Sequence, residues 1–318
     1  MPTYYLILLS SALALAIACL ALNLLLGTTG LVSFGHAAYF GLGAYAGGFL
    51  YTLCDVDALE VYLLAGMAAA GTAAAVGGAL CVRATRVHFT ILTLAVAQIV
   101  HSLFIAGIVF RAAGGVGRGL FLLGGGGLYV PRLAIGGHVP SPEAFPTVMF
   151  YVAAAALALS ASLLRRVTRS PFGLALRAIR GNPTRAALVG IPVRRYQWYA
   201  FVISGTFTGL AGGVTGLIDR QVTPEQLHWV FSAKLVLAAV LGGAGYFWGP
   251  AVGAGALIAL RETALRVTGY SGMVLGALLI LVTALAPGGI VGLAARLFRG
   301  PGAEESSWDR PAPPGEHG

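Results

Sequence analysis

The feature of this sequence that most limits its fold is a series of long apolar runs without a charged residue. Residues 4–26 form the first of them, and about 20 apolar residues are enough for a helix to cross a bilayer. Only 10% of the 318 residues are charged, against about 25% in soluble domains. So few charges cannot cover the surface of a water-soluble globule. The sequence therefore excludes a soluble enzyme, a nucleic-acid-binding domain and a disordered chain, and predicts an all-α polytopic membrane protein.

Hydropathy predicts about nine transmembrane helices, with eight to ten as the acceptable range. We expect some of them, around residues 27–50 and 228–260, to be broken or re-entrant. The first span lacks a basic flank and a small-residue cleavage site, so we interpret it as a retained helix rather than a signal peptide. The predicted spans are residues 4–26, 34–54, 60–82, 88–110, 145–164, 196–218, 228–245, 249–268 and 270–295.

The distribution of arginine predicts the orientation. Residues 165–195 hold eight arginines and no acidic residue, which accounts for +8 of the net charge of +9. Basic loops stay in the cytoplasm, so this segment is expected to be cytoplasmic. Alternation of nine spans then places the N-terminus outside and the C-terminus in the cytoplasm.

The same topology divides the chain into regions. Residues 1–299 are predicted to form the membrane domain, with a cytoplasmic segment at 168–192 and a Gly- and Pro-rich outer loop at 111–142. Residues 300–318 are rich in Pro, Gly and Glu and are expected to be a disordered cytoplasmic tail.

Glycine interrupts the apolar pattern in the segment LNLLLGTTGLVSFGHAAYFGLGAY at 22–45. Irregular backbone in a membrane has to be buried in protein or to line a wet cavity. A helix that restarts after the break would point free N–H groups into such a cavity, where anionic groups bind. The alternative is that the glycines only permit close helix packing, with His36 as a hydrogen-bonded packing residue.

Two short helices are predicted within residues 165–195. Ser170 and Pro171 have the character of a helix N-cap and first residue, and Gly181-Asn182-Pro183 would end that helix. We expect Leu174, Ala178 and Ile179 to form one apolar stripe, flanked by Arg177 and Arg180. The pair is either an interfacial element on anionic lipid or a docking element for a cytoplasmic partner.

A third segment, residues 235–260, contains the tight turn GGAGYFWGP between two spans. Gly249 and Gly253 indicate close helix packing, and no strand or lysine accompanies the glycines as a phosphate-binding loop requires. The sequence shows no catalytic constellation and no metal-binding pattern. Three separated cysteines predict neither a disulfide nor a metal site.

Together these segments resemble the permeases of bacterial branched-chain amino-acid ABC transporters, in particular the M-type subunit. The resemblance extends from about Leu20 to Leu297. It is carried by residues 22–45, by HFTILTLAVAQIVHSL at 88–103, by SPFGLALRAIRGNPTRAALVGIPVRRYQWYAFVISGTFTGLAGG at 170–213, by LVLAAVLGGAGYFWGPAVGAGAL at 235–257 and by LGALLILVTALAPGGIVGL at 275–293.

The resemblance implies an inner-membrane subunit of an importer for Leu, Ile and Val that works by alternating access. The partners it implies are a second, H-type permease, two cytoplasmic ATP-binding subunits and a periplasmic substrate-binding protein, with lipid around the helices and no nucleic acid. No cofactor is expected in this chain, since the partner ATPases would use the ATP. A urea or short-amide permease of the same superfamily, a purely structural subunit, and a membrane-embedded enzyme are the alternatives.

The candidate residues fall into two sets. Under the resemblance, the helix pair becomes the ATPase-coupling element, carried by Leu174, Arg177, Ile179, Arg180, Asn182 and Leu188. Polar side chains in spans and in the interrupted segment are expected to face the bundle interior, which makes the translocation-pathway candidates Asn23, Ser33, His36, Tyr39, Gln98 and Ser204.

Overall fold

The computed structural model describes residues 3–54, 58–84, 86–107, 127–130, 133–134, 139–267, 276 and 288–298. These residues form eleven α-helices, one 3₁₀ helix and two very short strands. The helices are α1 Thr3–Thr29, α2 His36–Cys54, α3 Leu59–Cys81, α4 Arg86–Ile105, α5 Phe145–Arg169, α6 Pro171–Gly181, α7 Pro183–Leu188, α8 Val193–Asp219, α9 Trp229–Gly242, α10 Gly249–Val267 and α11 Gly289–Phe298.

Eight of the nine predicted spans coincide with α1–α5 and α8–α10. Within the described residues, five helices are long and apolar enough to cross a membrane, namely α1, α3, α4, α5 and α8. The ninth predicted span, 270–295, lies mostly outside the described residues, as do most of the predicted outer loop and the whole predicted tail. The helical character of these eight predicted spans is confirmed, whereas the count of nine crossings stays a prediction.

Helices α8 and α1 form the centre of the bundle. Within its most apolar stretch α8 buries 72% of its residues, whereas α3, α4 and α5 bury 28%, 22% and 28%. The central helix packs against α1, α2 and α3 together, while α1 also contacts α5 and α10. The outer helices therefore leave most of their apolar surface to lipid or to other chains.

Glycine permits the close approach of the central helices. A Cβ atom at Gly66 of α3 would lie 2.6 Å from the carbonyl oxygen of Gly43 in α2, and one at Gly212 of α8 would overlap the carbonyl oxygen of Phe40. Helices α9 and α10 meet in the same way, since a Cβ atom at Gly253 would overlap the carbonyl oxygen of Ala238. Small residues let helix backbones touch in this manner, so the packing interpretation of the glycine segments is confirmed.

A small cap closes one end of the bundle. Helix α8 ends at Asp219, and the next residue, Arg220, adopts a left-handed conformation with φ of 55°. Strand β1 (Leu128–Tyr129) then pairs antiparallel with β2 (Gln221–Val222), and the 3₁₀ helix Pro224–Leu227 leads into α9. Leu128 and Val222 are buried there, which joins this cap to the core of the bundle.

Candidate functional site

The break between α1 and α2 is an ordered, anchored loop. Helix α1 ends at Thr29, and Gly30 follows with φ of 71°, the left-handed conformation with which glycine ends helices. Two threonines of α4 hold the loop, since Thr93 Oγ1 accepts from Phe34 N at 3.2 Å and Thr90 Oγ1 donates to Val32 O at 2.9 Å. The predicted interruption is confirmed, and its backbone is buried in protein.

A chain of hydrogen bonds centred on His36 joins this break to α8 and α1. The Ser33 hydroxyl lies 3.0 Å from His36 Nδ1, and the Ser204 hydroxyl lies 2.7 Å from His36 Nε2. Ser204 Oγ donates to Ala21 O at 2.5 Å, so its hydrogen is not available to the ring. His36 Nε2 therefore carries the proton and donates to Ser204, while Nδ1 accepts from Ser33.

Aromatic rings enclose the imidazole. Tyr39 and Phe201 each make an edge contact with His36, with ring centroids 6.0 Å apart. Ser33, His36 and Ser204 have no exposed surface, and Tyr39 is 1% exposed. These four translocation candidates are thus brought together, but in a packed cluster that holds no open passage in this conformation.

Two backbone amides at the restart, one just before α2 and one in its first turn, are hydrogen-bonded within the protein. Ala37 N donates to the hydroxyl of Ser232 in α9 at 2.7 Å, and Gly35 N donates to Ser33 Oγ at 3.2 Å. The prediction of free N–H groups at this restart was wrong at these two positions, because hydroxyls from α9 and the loop satisfy them.

The remaining two translocation candidates lie elsewhere. Asn23 is 8% exposed and its Nδ2 donates to Tyr246 O at 3.3 Å, while its Oδ1 is buried without a donor. Gln98 lies on α4, also with a buried and unpartnered Oε1. One turn further along α4, the ring of His101 lies 4.7 Å from that of His228. The six candidates therefore occupy three separate places.

The predicted helix pair corresponds to α6 and α7. Ser170 Oγ accepts from Gly173 N, and Pro171 is the first residue of α6. Asn182 then separates the helices, and its Oδ1 accepts from Arg185 N at 2.9 Å to cap α7. Both caps follow directly from the local sequence.

The apolar stripe that we expected on α6 was wrong. Leu176 and Ile179 are buried against the bundle, together with Gly173. Leu174 is 52% exposed, and Ala178 is exposed as well. Contacts with α1, α5 and α8 select a helix face that the local pattern does not identify. Ile179 therefore belongs to the core, whereas Leu174 and Asn182 face outward.

Arg177 and Arg180 contact their own chain. Arg180 Nη1 donates to Gly27 O at 2.5 Å, near the end of α1, and Arg177 Nη2 donates to Thr168 O at 3.0 Å, near the end of α5. Cations are stabilised at helix C-termini by unpaired carbonyl groups and by the helix dipole. Burial lowers the pKa of Arg177, but arginine remains protonated. Helix α6 is thus fastened across the ends of two long helices.

Two apolar side chains project from the end of α7. Leu188 is 84% exposed and Val189 is 73% exposed. Leu174 and Asn182 are exposed as well, and we call these four residues the α6–α7 tip. These four side chains present surface to which another chain could bind.

Several residues of these contacts were missed from the sequence. Thr90, Thr93 and Ser232 position the break, and Phe201 packs on His36. The sequence does show that Thr90, Thr93 and Ser232 are hydroxyl residues within apolar spans. Such a hydroxyl in a bilayer needs a hydrogen-bond partner inside the bundle. In the part of the chain that the structure describes, no group of three His, Cys, Asp or Glu side chains is placed to hold a metal ion.

The sequence of this chain matches known transport proteins. The model of the family described as "Branched-chain amino acid transport system / permease component" matches residues 4–283. The high-affinity branched-chain amino acid transport system permease protein LivM of Escherichia coli is 27% identical over 86% of this chain and 66% of its own length. The chain thus spans just under two thirds of that relative.

Similarity extends to permeases named LivH. The LivH protein of Escherichia coli is 34% identical over 39% of this chain and 40% of its own length. The probable LivH protein of Methanocaldococcus jannaschii is 26% identical over 47% of this chain and 50% of its own length. No solved structure matches significantly.

Proposed function

Because the chain belongs to the family of permease components of branched-chain amino acid transport systems, and is a multi-pass membrane protein, we propose that it is one permease subunit of an ATP-driven importer. Its substrates are branched-chain, apolar amino acids. The LivM and LivH relatives, which are named for such transport, support this substrate class. The chain carries out the passage across the membrane and leaves ATP hydrolysis to other subunits.

The observation that carries this proposal is the attachment of the α6–α7 pair. Its inner face is fixed by arginine hydrogen bonds to the ends of α1 and α5, and its tip exposes Leu174, Leu188 and Val189. An exposed apolar tip on a cationic segment fits a groove on a cytoplasmic protein. We assign docking on the ATPase to Leu174, Asn182 and Leu188. Arg177, Ile179 and Arg180 transmit its movement to the bundle.

Transport by this arrangement is a switch between two packed states. Movement of α6 is transmitted through Arg180 to the end of α1 and so to the break at residues 30–35. The His36 cluster lies directly behind that break and is closed here. Rigid rotation of packed elements is a common form of such transitions, and opening the passage requires the Ser33–His36–Ser204 contacts to separate.

The assembly requires partners. We propose an H-type permease as the second half of the pathway, two ATP-binding subunits below it, and a periplasmic binding protein that delivers the substrate. Matches to both LivM and LivH relatives support a permease pair. The location is the bacterial inner membrane, with the N-terminus outside and the C-terminus in the cytoplasm, as the cationic 165–195 segment favours.

Uptake of labelled leucine in cells that lack this chain tests the function. We expect uptake to fall and to return when the chain is supplied. Excess isoleucine and valine should compete in the restored cells, whereas urea and short amides should not. Normal leucine uptake in the deletion strain, or competition by urea instead of valine, would overturn the substrate assignment.

Docking through the tip is tested by Leu188→Glu. A charge at this exposed apolar position should leave folding intact but reduce leucine uptake at least tenfold, because the carboxylate would have to be desolvated in the partner groove. Co-purification with the ATPase should fall in parallel. The matched control is Val139→Glu, since Val139 is 58% exposed outside the helix pair. Equal uptake by the two variants would rule out docking through Leu188.

A further inference from the structure

The outer face of α5 carries a groove that the transport proposal does not use. The groove has a volume of about 650 Å³. Its lining from α5 recurs at helical spacing along about 16 Å of one face. Ser170 and Trp248, the latter from the turn between α9 and α10, complete the lining. The α5 residues are Ala158, Ala161, Ser162, Arg165, Arg166 and Arg169.

The chemistry of the groove changes along its length. At one end Ala158, Ala161 and Ser162 are too small to fill the space, which leaves an apolar channel. At the other end three arginines stand within two turns of the helix, and none of the lining residues is acidic. An apolar channel with a cationic end is complementary to a molecule with an anionic head and a hydrocarbon tail.

The cationic end lies where a lipid headgroup would lie. Helix α5 has the length and apolarity of a membrane span, and its arginines occupy its last turns. Trp248 is 46% exposed beside them, and tryptophan is enriched at the level of the headgroups. The Arg165 guanidinium lies 6.0 Å from the ring of Phe247, a contact that holds this charge at the edge of the groove.

A deeper cavity of about 350 Å³ adjoins the groove and shares Arg165, Arg169 and Trp248 with it. Asn23 also lines this cavity, and its buried Oδ1 accepts no hydrogen bond from the protein. A buried acceptor of this kind needs a donor. A headgroup with a phosphate and free hydroxyls could donate a hydrogen bond from a hydroxyl to Asn23 Oδ1 while its phosphate binds the arginines of the groove.

We infer that this groove is a binding site for one anionic glycerophospholipid of the phosphatidylglycerol type. The phosphate lies among Arg165, Arg166 and Arg169, an acyl chain follows the small residues of α5, and the glycerol head extends toward Asn23. The inference rests on the groove and the adjoining cavity, and it is independent of what the chain transports.

Native mass spectrometry of the purified full-length chain tests the site. After exchange into mixed phosphatidylglycerol and phosphatidylcholine, we expect one phosphatidylglycerol to be retained preferentially, with little phosphatidylcholine. The triple variant Arg165→Gln/Arg166→Gln/Arg169→Gln should lower that retention at least tenfold. The variant Arg185→Gln/Arg194→Gln/Arg195→Gln has the same change in charge at exposed positions away from the groove, and it should retain the lipid.

A second variant keeps all the arginines. Ala158→Phe fills the apolar channel, and we expect it also to lower retention, whereas a simple anion site would be unaffected. Equal losses in the two triple variants would show diffuse charge attraction and overturn the site. So would equal retention of both lipids, full retention by Ala158→Phe, or displacement of the lipid by millimolar inorganic phosphate.

Discussion

At the scale of single residues, the His36 cluster shows how a polar group is accommodated within an apolar bundle. Both ring nitrogens of His36 have a hydroxyl partner, and Ser204 passes the hydrogen-bond chain on to a carbonyl oxygen of α1. A buried polar group left without its partner costs more than an intact hydrogen bond contributes. Breaking one hydrogen bond of the cluster therefore leaves a buried group unpaired and costs folding free energy, so the bonds are expected to form or break together.

We accordingly expect Ser204→Ala to lower the free energy of unfolding by about 1–3 kcal/mol, since it leaves His36 Nε2 without an acceptor. Thermal unfolding of the purified protein in detergent measures the effect. The control is Ser11→Ala, because the Ser11 hydroxyl donates to the carbonyl oxygen of Ile7 in its own helix. If the two serine variants unfold at the same temperature, the cluster does not contribute in this way.

At the scale of helices, α6 acts as a brace across the bundle. Its arginines place positive charge at two helix ends where carbonyl groups lack partners, and its buried face packs on α1, α5 and α8. A movement of the α6–α7 tip on docking would therefore be transmitted directly to α1 and α5. Charge reversal at Arg177 or Arg180 would break these contacts and damage the fold. Such variants therefore could not separate a docking defect from a folding defect.

Arg180→Ala should loosen this brace. Loss of a hydrogen bond from a charged donor costs about 1–2 kcal/mol at a partly buried site, and it frees the carbonyl of Gly27. Hydrogen–deuterium exchange should become faster in the last turn of α1 while the middle of α8 remains protected. Arg185→Ala serves as the control, since Arg185 is exposed on α7. Identical exchange at α1 in both variants would contradict the brace.

Local sequence predicted the boundaries of these elements well. Ser170, Pro171 and Asn182 mark the start of α6 and its junction with α7 through chemistry within a few residues. Helix α1 continues to Thr29, three residues beyond the predicted end of the first span. The partners of the break were not predictable, because Thr93 and Ser232 lie about 60 and 195 residues away along the chain. For the same reason the sequence did not reveal which face of α6 is buried, or that four of the six pathway candidates meet.

At the scale of the whole molecule, charge is concentrated in one segment. Eight of the nine net positive charges lie between residues 165 and 195, and the structure divides them among three roles. Arg177 and Arg180 cap helices, Arg165, Arg166 and Arg169 line the groove on α5, and the others are exposed on the surface. A single basic segment thus favours a cytoplasmic orientation and also fixes the helix pair to the bundle.

That orientation is the last prediction, and labelling of single introduced cysteines tests it. Val139→Cys replaces an exposed residue of the predicted outer loop, and Leu188→Cys replaces one at the α6–α7 tip. A maleimide that cannot cross membranes should label Val139→Cys in intact cells. It should label Leu188→Cys only after the membrane is permeabilised, because a segment with so many arginines is retained in the cytoplasm during insertion. The unmodified chain measures the background from its three native cysteines. The opposite pattern would reverse the topology and place the α6–α7 tip out of reach of any cytoplasmic ATPase, so it would exclude the coupling role as well.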